Sequence, residues 1–308
     1  MLGHLQTLSF PTVADLLGTV LHRVTDVGRA LLRRQRTKQD AGDVKVGGSD
    51  RHGRVALVGA GPGDPELLTL KALRALQAAD VILHDQLVSA QVLALAPPRV
   101  ERIDVGKKGY GRACKQGDIN DLMIALANAG RRVVRLKAGD PLMFGRLEEE
   151  IAALEAAEIA FEVVPGISAA QGAASRLNVP LTRRRGARRF QAITGHASDG
   201  RLPDDFDWAG LADPKAITAV YMPKATIDDL CSELLKRGLP ADHPAVAVFN
   251  ATRANEVVLS ASIATLPQRI AAVESHAPCI ILIGVAAAQR ATALQSSLSE
   301  QAISRVGL

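Results

Sequence analysis

Aromatic residues are scarce: phenylalanine, tryptophan and tyrosine together make up 3% of the 308 residues. A core must therefore be assembled from Ala, Val, Leu and Ile, and the aromatic platforms on which single-stranded nucleic acids stack are missing. Cysteine is equally sparse. Cys114, Cys231 and Cys279 lie far apart with no paired ligand spacing, which argues against a disulfide framework or structural zinc site and for a reducing compartment. No apolar run approaches the roughly 20 residues of a membrane-spanning helix. The start of the chain also lacks the basic, apolar and small-residue order of a signal peptide. Cytoplasmic is the expected location.

What is plentiful is the mixture typical of globular proteins, with 47% hydrophobic and 22% charged residues. The length suits two domains of about 100–200 residues each. A net charge of +5 and a pI near 9.3 favour an acidic substrate or partner, though only mildly, since many housekeeping enzymes are this basic.

Residues 1–53 stand apart. Behind a Thr12/Asp15 start signal, Val13, Leu16, Leu17, Val20, Leu21, Val24, Val27 and Leu31 recur at helical spacing. A basic run from Arg29 to Lys38 and a polar, Gly-containing linker follow. Such a helix can lie on a membrane surface, dock on a partner, or pack on its own protein. From Arg54 the pattern alternates short apolar strands with helices, as α/β proteins do. Strands are predicted at 55–58, 81–83, 100–105, 132–136, 161–164, 190–193, 216–221, 245–249 and 279–283, and helices at 67–78, 118–129, 148–157 and 226–236. The expected division is 54–181 as one α/β domain, 182–290 as a second and 291–308 as a tail, with a cleft between the two domains.

The first strand runs into Gly59-Ala-Gly-Pro-Gly-Asp-Pro65, which invites comparison with the dinucleotide fingerprint G-x-G-x-x-G. The match fails at the third glycine, which is Asp64, a carboxylate that repels a pyrophosphate. Pro62 and Pro65 also remove amide donors. The loop is a tight turn at a strand's carboxyl end, either a ligand loop or a plain Gly/Pro turn.

Further blocks follow in order: Val58 to Leu70 around that turn, Ala79-Asp-Val-Ile-Leu-His-Asp-Gln-Leu-Val-Ser89, Val105-Gly-Lys-Lys108, Arg132-Val-Val-Arg-Leu-Lys-Ala-Gly-Asp-Pro-Leu-Met-Phe-Gly-Arg146, Val164-Pro-Gly-Ile-Ser168 and Thr194-Gly-His196. In this order they resemble the uroporphyrinogen-III C-methyltransferases, including the methyltransferase half of siroheme synthases. The resemblance runs from about Arg54 to Val285. It implies the α/β, two-domain tetrapyrrole methylase fold with its active site in the interdomain cleft. It also implies a homodimer and an S-adenosylmethionine co-substrate that leaves as S-adenosylhomocysteine, with no metal. By resemblance, Pro62, Ala138, Gly139, Asp140, Met143, Ser168, Ala169, Met222 and Ala251 are the donor-binding positions, Asp85 the proton acceptor and Lys107 the proton donor. The implied reaction is C-methylation of uroporphyrinogen III to precorrin-2, serving siroheme or cobalamin formation.

These residue types suit that chemistry. A sulfonium methyl is already electrophilic and a reduced pyrrole carbon is electron-rich, so catalysis reduces to positioning and proton management. Taken alone, Asp85 reads equally as a loop-capping aspartate and Lys107 as a solvated lysine. The run Leu181-Thr-Arg-Arg-Arg-Gly-Ala-Arg-Arg189 holds five arginines in nine residues. Arg183, Arg184 and Arg185 are candidate forks for substrate carboxylates; a nucleic-acid patch or a solvated interdomain linker are the alternatives.

The chain departs from the usual family pattern at Ala138, where Gly is the rule, and at Leu147 and Glu148, which replace a Gly-Gly pair. Arg183 and Arg185 likewise stand where His and Asp are usual. The competing readings are methylation of a later corrin intermediate, and a non-catalytic paralogue that binds S-adenosylmethionine or a tetrapyrrole. A nucleotide-dependent oxidoreductase is disfavoured by Asp64.

Overall fold

The structure is a computed structural model that describes residues 53–106, 116–197, 199–273 and 277–286. The expected N-terminal helix, Lys107, Cys114 and the 291–308 tail lie outside the described residues.

The first sheet is built from β1 (Val55–Gly59), β2 (Val81–His84), β3 (Glu101–Asp104), β4 (Val133–Lys137) and β5 (Phe161–Val164), in the order β3-β2-β4-β1-β5. Every pairing is parallel. Side chains alternate across the sheet, and both sets are apolar because helices cover both faces. Ala56, Val58, Ile82, Val134 and Leu136 pack with α1 (Leu70–Ala78) and α2 (Ala90–Leu93). Val55, Leu57, Val81, Leu83 and Val133 pack with α3 (Gln116–Asn128) and α4 (Leu147–Ala156).

The second sheet is mixed. Its strands are β6 (Arg189–Thr194), β7 (Ala216–Tyr221), β8 (Pro244–Phe249), β9 (Val257–Ser262) and β10 (Cys279–Ile283), in the order β6-β7-β10-β8-β9. β6 and β7 are parallel; the other pairs are antiparallel. The helices of this half are α5 (Ala169–Leu177), α6 (Trp208–Leu211), α7 (Ile227–Lys236) and α8 (Leu266–Ala271). Leu230, Leu234, Leu266 and Ile270 cover one face over Val220, Ala247, Phe249 and Ile281. The other face is covered by α5, whose Ala170, Ala173, Ala174 and Leu177 lie on Ile217, Ala219, Val246, Val248, Ile280 and Leu282. Thus α5 follows the last strand of the first sheet in the chain but packs on the second.

The predicted strands agree with the observed ones to within one or two residues. The helix expected from Leu67 is instead two pieces. Asp64 caps a 3-10 turn at Pro65–Leu67, accepting from the Glu66 amide at 2.9 Å, and Thr69 caps α1, accepting from the Ala72 amide at 3.1 Å. Two capping residues five apart each start their own element. The sequence reading passed over α5 because Ala-Ala-Gln-Gly-Ala-Ala-Ser-Arg-Leu has no bulky apolar stripe. It passed over β9 because Ser260 and Ser262 dilute the strand pattern.

Candidate active site

Three strand ends meet at the carboxyl edge of the first sheet, where open α/β sheets hold their ligands. Gly59 closes β1, Gly139 follows β4 and Gly166 follows β5. A Cβ on Gly59 would lie 2.6 Å from the Gly166 Cα, and one on Gly166 would lie 2.3 Å from the Gly139 oxygen. Only hydrogen fits. Gly61 and Gly139 both have φ of 71°, a left-handed conformation that favours glycine. They exchange two backbone hydrogen bonds, Gly61 N to Gly139 O at 3.1 Å and Gly139 N to Gly61 O at 2.8 Å.

The second half reaches this edge through α5 and the loop after β8. Pro62 sits against Gly172 of α5, where a Cβ would be 2.7 Å from the proline ring and 3.1 Å from the Thr252 methyl carbon. Thr252 Oγ1 accepts from the Asp64 amide at 3.1 Å. Arg253 lies along Gly63 and donates to the Leu87 carbonyl, and burial pushes its pKa down. Ser89 donates to the Gly63 carbonyl at 2.7 Å, so the loop after β2 is tied to the same turn. Ser168 caps α5 with a capping box shared with Gln171. Tyr221 at the end of β7 accepts from the Ala170 amide at 3.4 Å, and its ring stands 5.0 Å from that of Phe144. Met222, beside it, is exposed and has φ of 52°.

Behind the loop after β2 lies a chain of charges. The period of two that places Val133 and Leu83 on the α3/α4 face also places Arg135, Lys137 and Asp85 there. Arg135 Nη2 donates to Asp85 Oδ1 at 2.5 Å and Arg135 Nε to Glu150 Oε1 at 2.9 Å; Lys137 Nζ donates to Glu150 Oε2 at 2.8 Å. The side chain of Glu150 is 0% exposed, that of Arg135 3% and that of Asp85 32%. Burial opposes the Arg135 charge, but the carboxylates of Asp85 and Glu150 on either side of it hold its pKa above the ordinary value. Burial, reinforced by the Arg135 charge, lowers the pKa of Lys137, and Glu150 offsets this only in part. Nothing in the sequence reading singled out Arg135, Lys137 or Glu150. The available signal was two cations, two residues apart, in an otherwise apolar strand.

Residues 54–267 match the tetrapyrrole (corrin/porphyrin) methylases. The chain belongs to that family. It is 46% identical over 247 residues to a uroporphyrinogen-III C-methyltransferase of Paracoccus denitrificans, covering 80% of this chain and 85% of that one. It is 47% identical over 232 residues to a siroheme synthase of Nitrosococcus oceani, covering 75% of this chain and 49% of that one. The chain thus spans about half the length of the siroheme synthases it matches. Among solved structures, a uroporphyrin-III C-methyltransferase of Thermus thermophilus complexed with S-adenosylhomocysteine superposes with TM-score 0.63 at 39% identity, covering 75% of this chain and 97% of that one. A cobalt precorrin-4 methyltransferase superposes with TM-score 0.70 at 26% identity, covering 78% and 98%. The fold is that of the tetrapyrrole methylases.

Within this methylase fold, Pro62, Gly139, Ser168, Ala169 and Ala251 are brought together around the start of α5. An ideal Cβ on Gly139 would stand 3.9 Å from the Ala169 nitrogen, and Ala251 packs in the same apolar cluster as Ala170 and Ala173. Asp140 closes its own turn, accepting from the Leu142 amide at 3.1 Å and, through its carbonyl, from the Met143 amide at 3.0 Å. Arg183, Arg184 and Arg185 are exposed, and their guanidinium groups form no ion pair among the described residues. An open recess of about 500 Å³ on the second half, lined by Arg201, Thr226, Asp229 and Glu233 among others, shares no residue with these loops.

The unusual residues are absorbed locally. Ala138 is partly buried against the α1/α2 face, and its backbone is not left-handed. Leu147 is buried in the α3/α4 cluster at the start of α4. Glu148 points to solvent, while its neighbour Glu149 makes two 2.7 Å bonds with Arg146.

Proposed function

We propose that this chain is an S-adenosylmethionine-dependent methyltransferase that converts uroporphyrinogen III to precorrin-2, in siroheme or cobalamin-type tetrapyrrole formation. The observation that carries the reading is the shared edge on which a glycine nest and an aimed carboxylate, Asp85, occur together. The close identity to the Paracoccus denitrificans and Thermus thermophilus methyltransferases supports it.

The residues fit a methyl donor. Gly59 and Gly166 pack backbone to backbone against Gly139, whose Cα is open on the side of the capped start of α5, and Tyr221, the residue before Met222, accepts from the Ala170 amide there. S-adenosylmethionine supplies an activated sulfonium methyl when bound, so neither a metal nor a protein nucleophile is required. Pro62, Ala138, Gly139, Asp140, Met143, Ser168, Ala169, Met222 and Ala251 are the proposed donor-binding residues. Asp85 takes up the proton released as the methylated ring rearranges, and Lys107 returns one. Arg183, Arg184 and Arg185 pair with substrate carboxylates, for which planar guanidinium forks are suited.

A second copy of the chain is the proposed partner, testable by sedimentation, and the cytoplasm the proposed location. No helix among the described residues is long and apolar enough to cross a membrane. The test of the donor-site reading is calorimetric: S-adenosylhomocysteine binds the wild-type chain, and Pro62→Trp abolishes that binding without unfolding the protein. Equal binding by both would remove Pro62 and its loop from the site.

A further inference from the structure

We infer that Arg135 is the positioning residue for Asp85: clamped from behind by Glu150, it fixes one carboxylate oxygen and leaves the other for the substrate proton. The inference rests on the reading of Asp85 as the proton acceptor.

Asp85 is the first residue after β2; its amide donates to the Leu136 carbonyl at 3.4 Å and its carbonyl accepts from the Val88 amide at 3.1 Å. The backbone thus sets the face its side chain occupies but does not by itself aim the carboxylate. Arg135 supplies that aim. All three guanidinium nitrogens are engaged: Nε with Glu150 at 2.9 Å, Nη1 with the Leu83 and Leu136 carbonyls at 3.4 Å each, and Nη2 with Asp85 Oδ1 at 2.5 Å. A planar fork held at every corner transmits its orientation to whatever it pairs with. Glu150 is held in turn by Lys137 at 2.8 Å and by Gln116 of α3 at 3.3 Å. Asp85 Oδ2 has no hydrogen bond among the described residues, and the side chain is one-third exposed.

A buried ion cluster of this kind contributes little net stability, because desolvation offsets the attraction. Its geometric product is an oriented Asp85. Arg135 is too deeply buried to meet the substrate, so its influence must pass through Asp85.

The test is a double-mutant cycle on the full chain, with methyl transfer to uroporphyrinogen III as readout. Thermal melting and S-adenosylhomocysteine binding check the fold of each variant. Asp85→Asn and Arg135→Met are each expected to lower kcat by about 100-fold or more, with KM for the donor nearly unchanged. Combined, they are expected to be no slower than Asp85→Asn alone, because a residue acting only through Asp85 has nothing left to orient. The isosteric Glu150→Gln loosens the clamp without changing its shape, serves as the second variant should Arg135→Met lose the fold, and is expected to lower kcat in the same non-additive way. Full additivity in either double variant, or native kcat in Arg135→Met, would overturn the inference. Native kcat in Asp85→Asn would instead remove the proton-acceptor reading, and the inference with it.

Discussion

Gly166 is the tightest of the three glycines, since a Cβ there would meet a carbonyl oxygen at 2.3 Å. Gly166→Ala is therefore expected to destabilise the fold by about 1–3 kcal/mol through overpacking. It should also weaken S-adenosylhomocysteine binding, because the Gly59 and Gly139 loops must part; denaturant melts and calorimetry would show both. At this scale the sequence was partly legible. Gly139 and Asp85 stood out because the family resemblance gives those two positions a role. Arg135 and Glu150 did not, because a charge in an apolar strand looks like noise until the partner 15 residues away is placed against it. Cys231 and Cys279 are quiet by contrast: burial pushes both thiols up to about 12, so neither should react readily with a thiol reagent in the native chain at neutral pH.

Strands β2 and β4 are locked at their amino ends by Asp80 and Arg132. The guanidinium donates to the carboxylate at 2.8 and 3.1 Å, and the Arg132 amide adds a bond at 2.9 Å. These bonds, the side-chain pair foremost, hold the Asp80 carboxyl below its ordinary 3.8. Its stabilisation is thus present above that value and is lost as pH falls through the lowered folded-state pKa. Asp80→Asn should cost about 0.5–1 kcal/mol at neutral pH, a figure already reduced for solvent screening, and the difference from wild type should vanish in strong acid. The elements most legible from sequence were those with simple periodicity, the strands of the first sheet above all. Helix α5 was illegible for a physical reason: it must lie close to Pro62 and to the second sheet, so it is made of Ala and Gly, and small residues leave no stripe.

Across the whole molecule, the two sheets are joined where the turn after β1 meets α5 and Thr252, and the proposed donor site is built from both halves. Ligand binding should then stabilise the chain as a unit. S-adenosylhomocysteine at about 100 times its dissociation constant should add about 2.7 kcal/mol and raise the melting temperature, whereas NAD should not. The family was readable in advance from six ordered blocks. The charge network and the contacts between halves arise only when distant segments are packed together. The most direct test of the central claim is methyl transfer itself: purified chain, anaerobic uroporphyrinogen III and isotopically labelled S-adenosylmethionine. The account predicts label in dimethylated precorrin-2. Donor bound with no label transferred to the tetrapyrrole would contradict it and leave a protein that binds without catalysing.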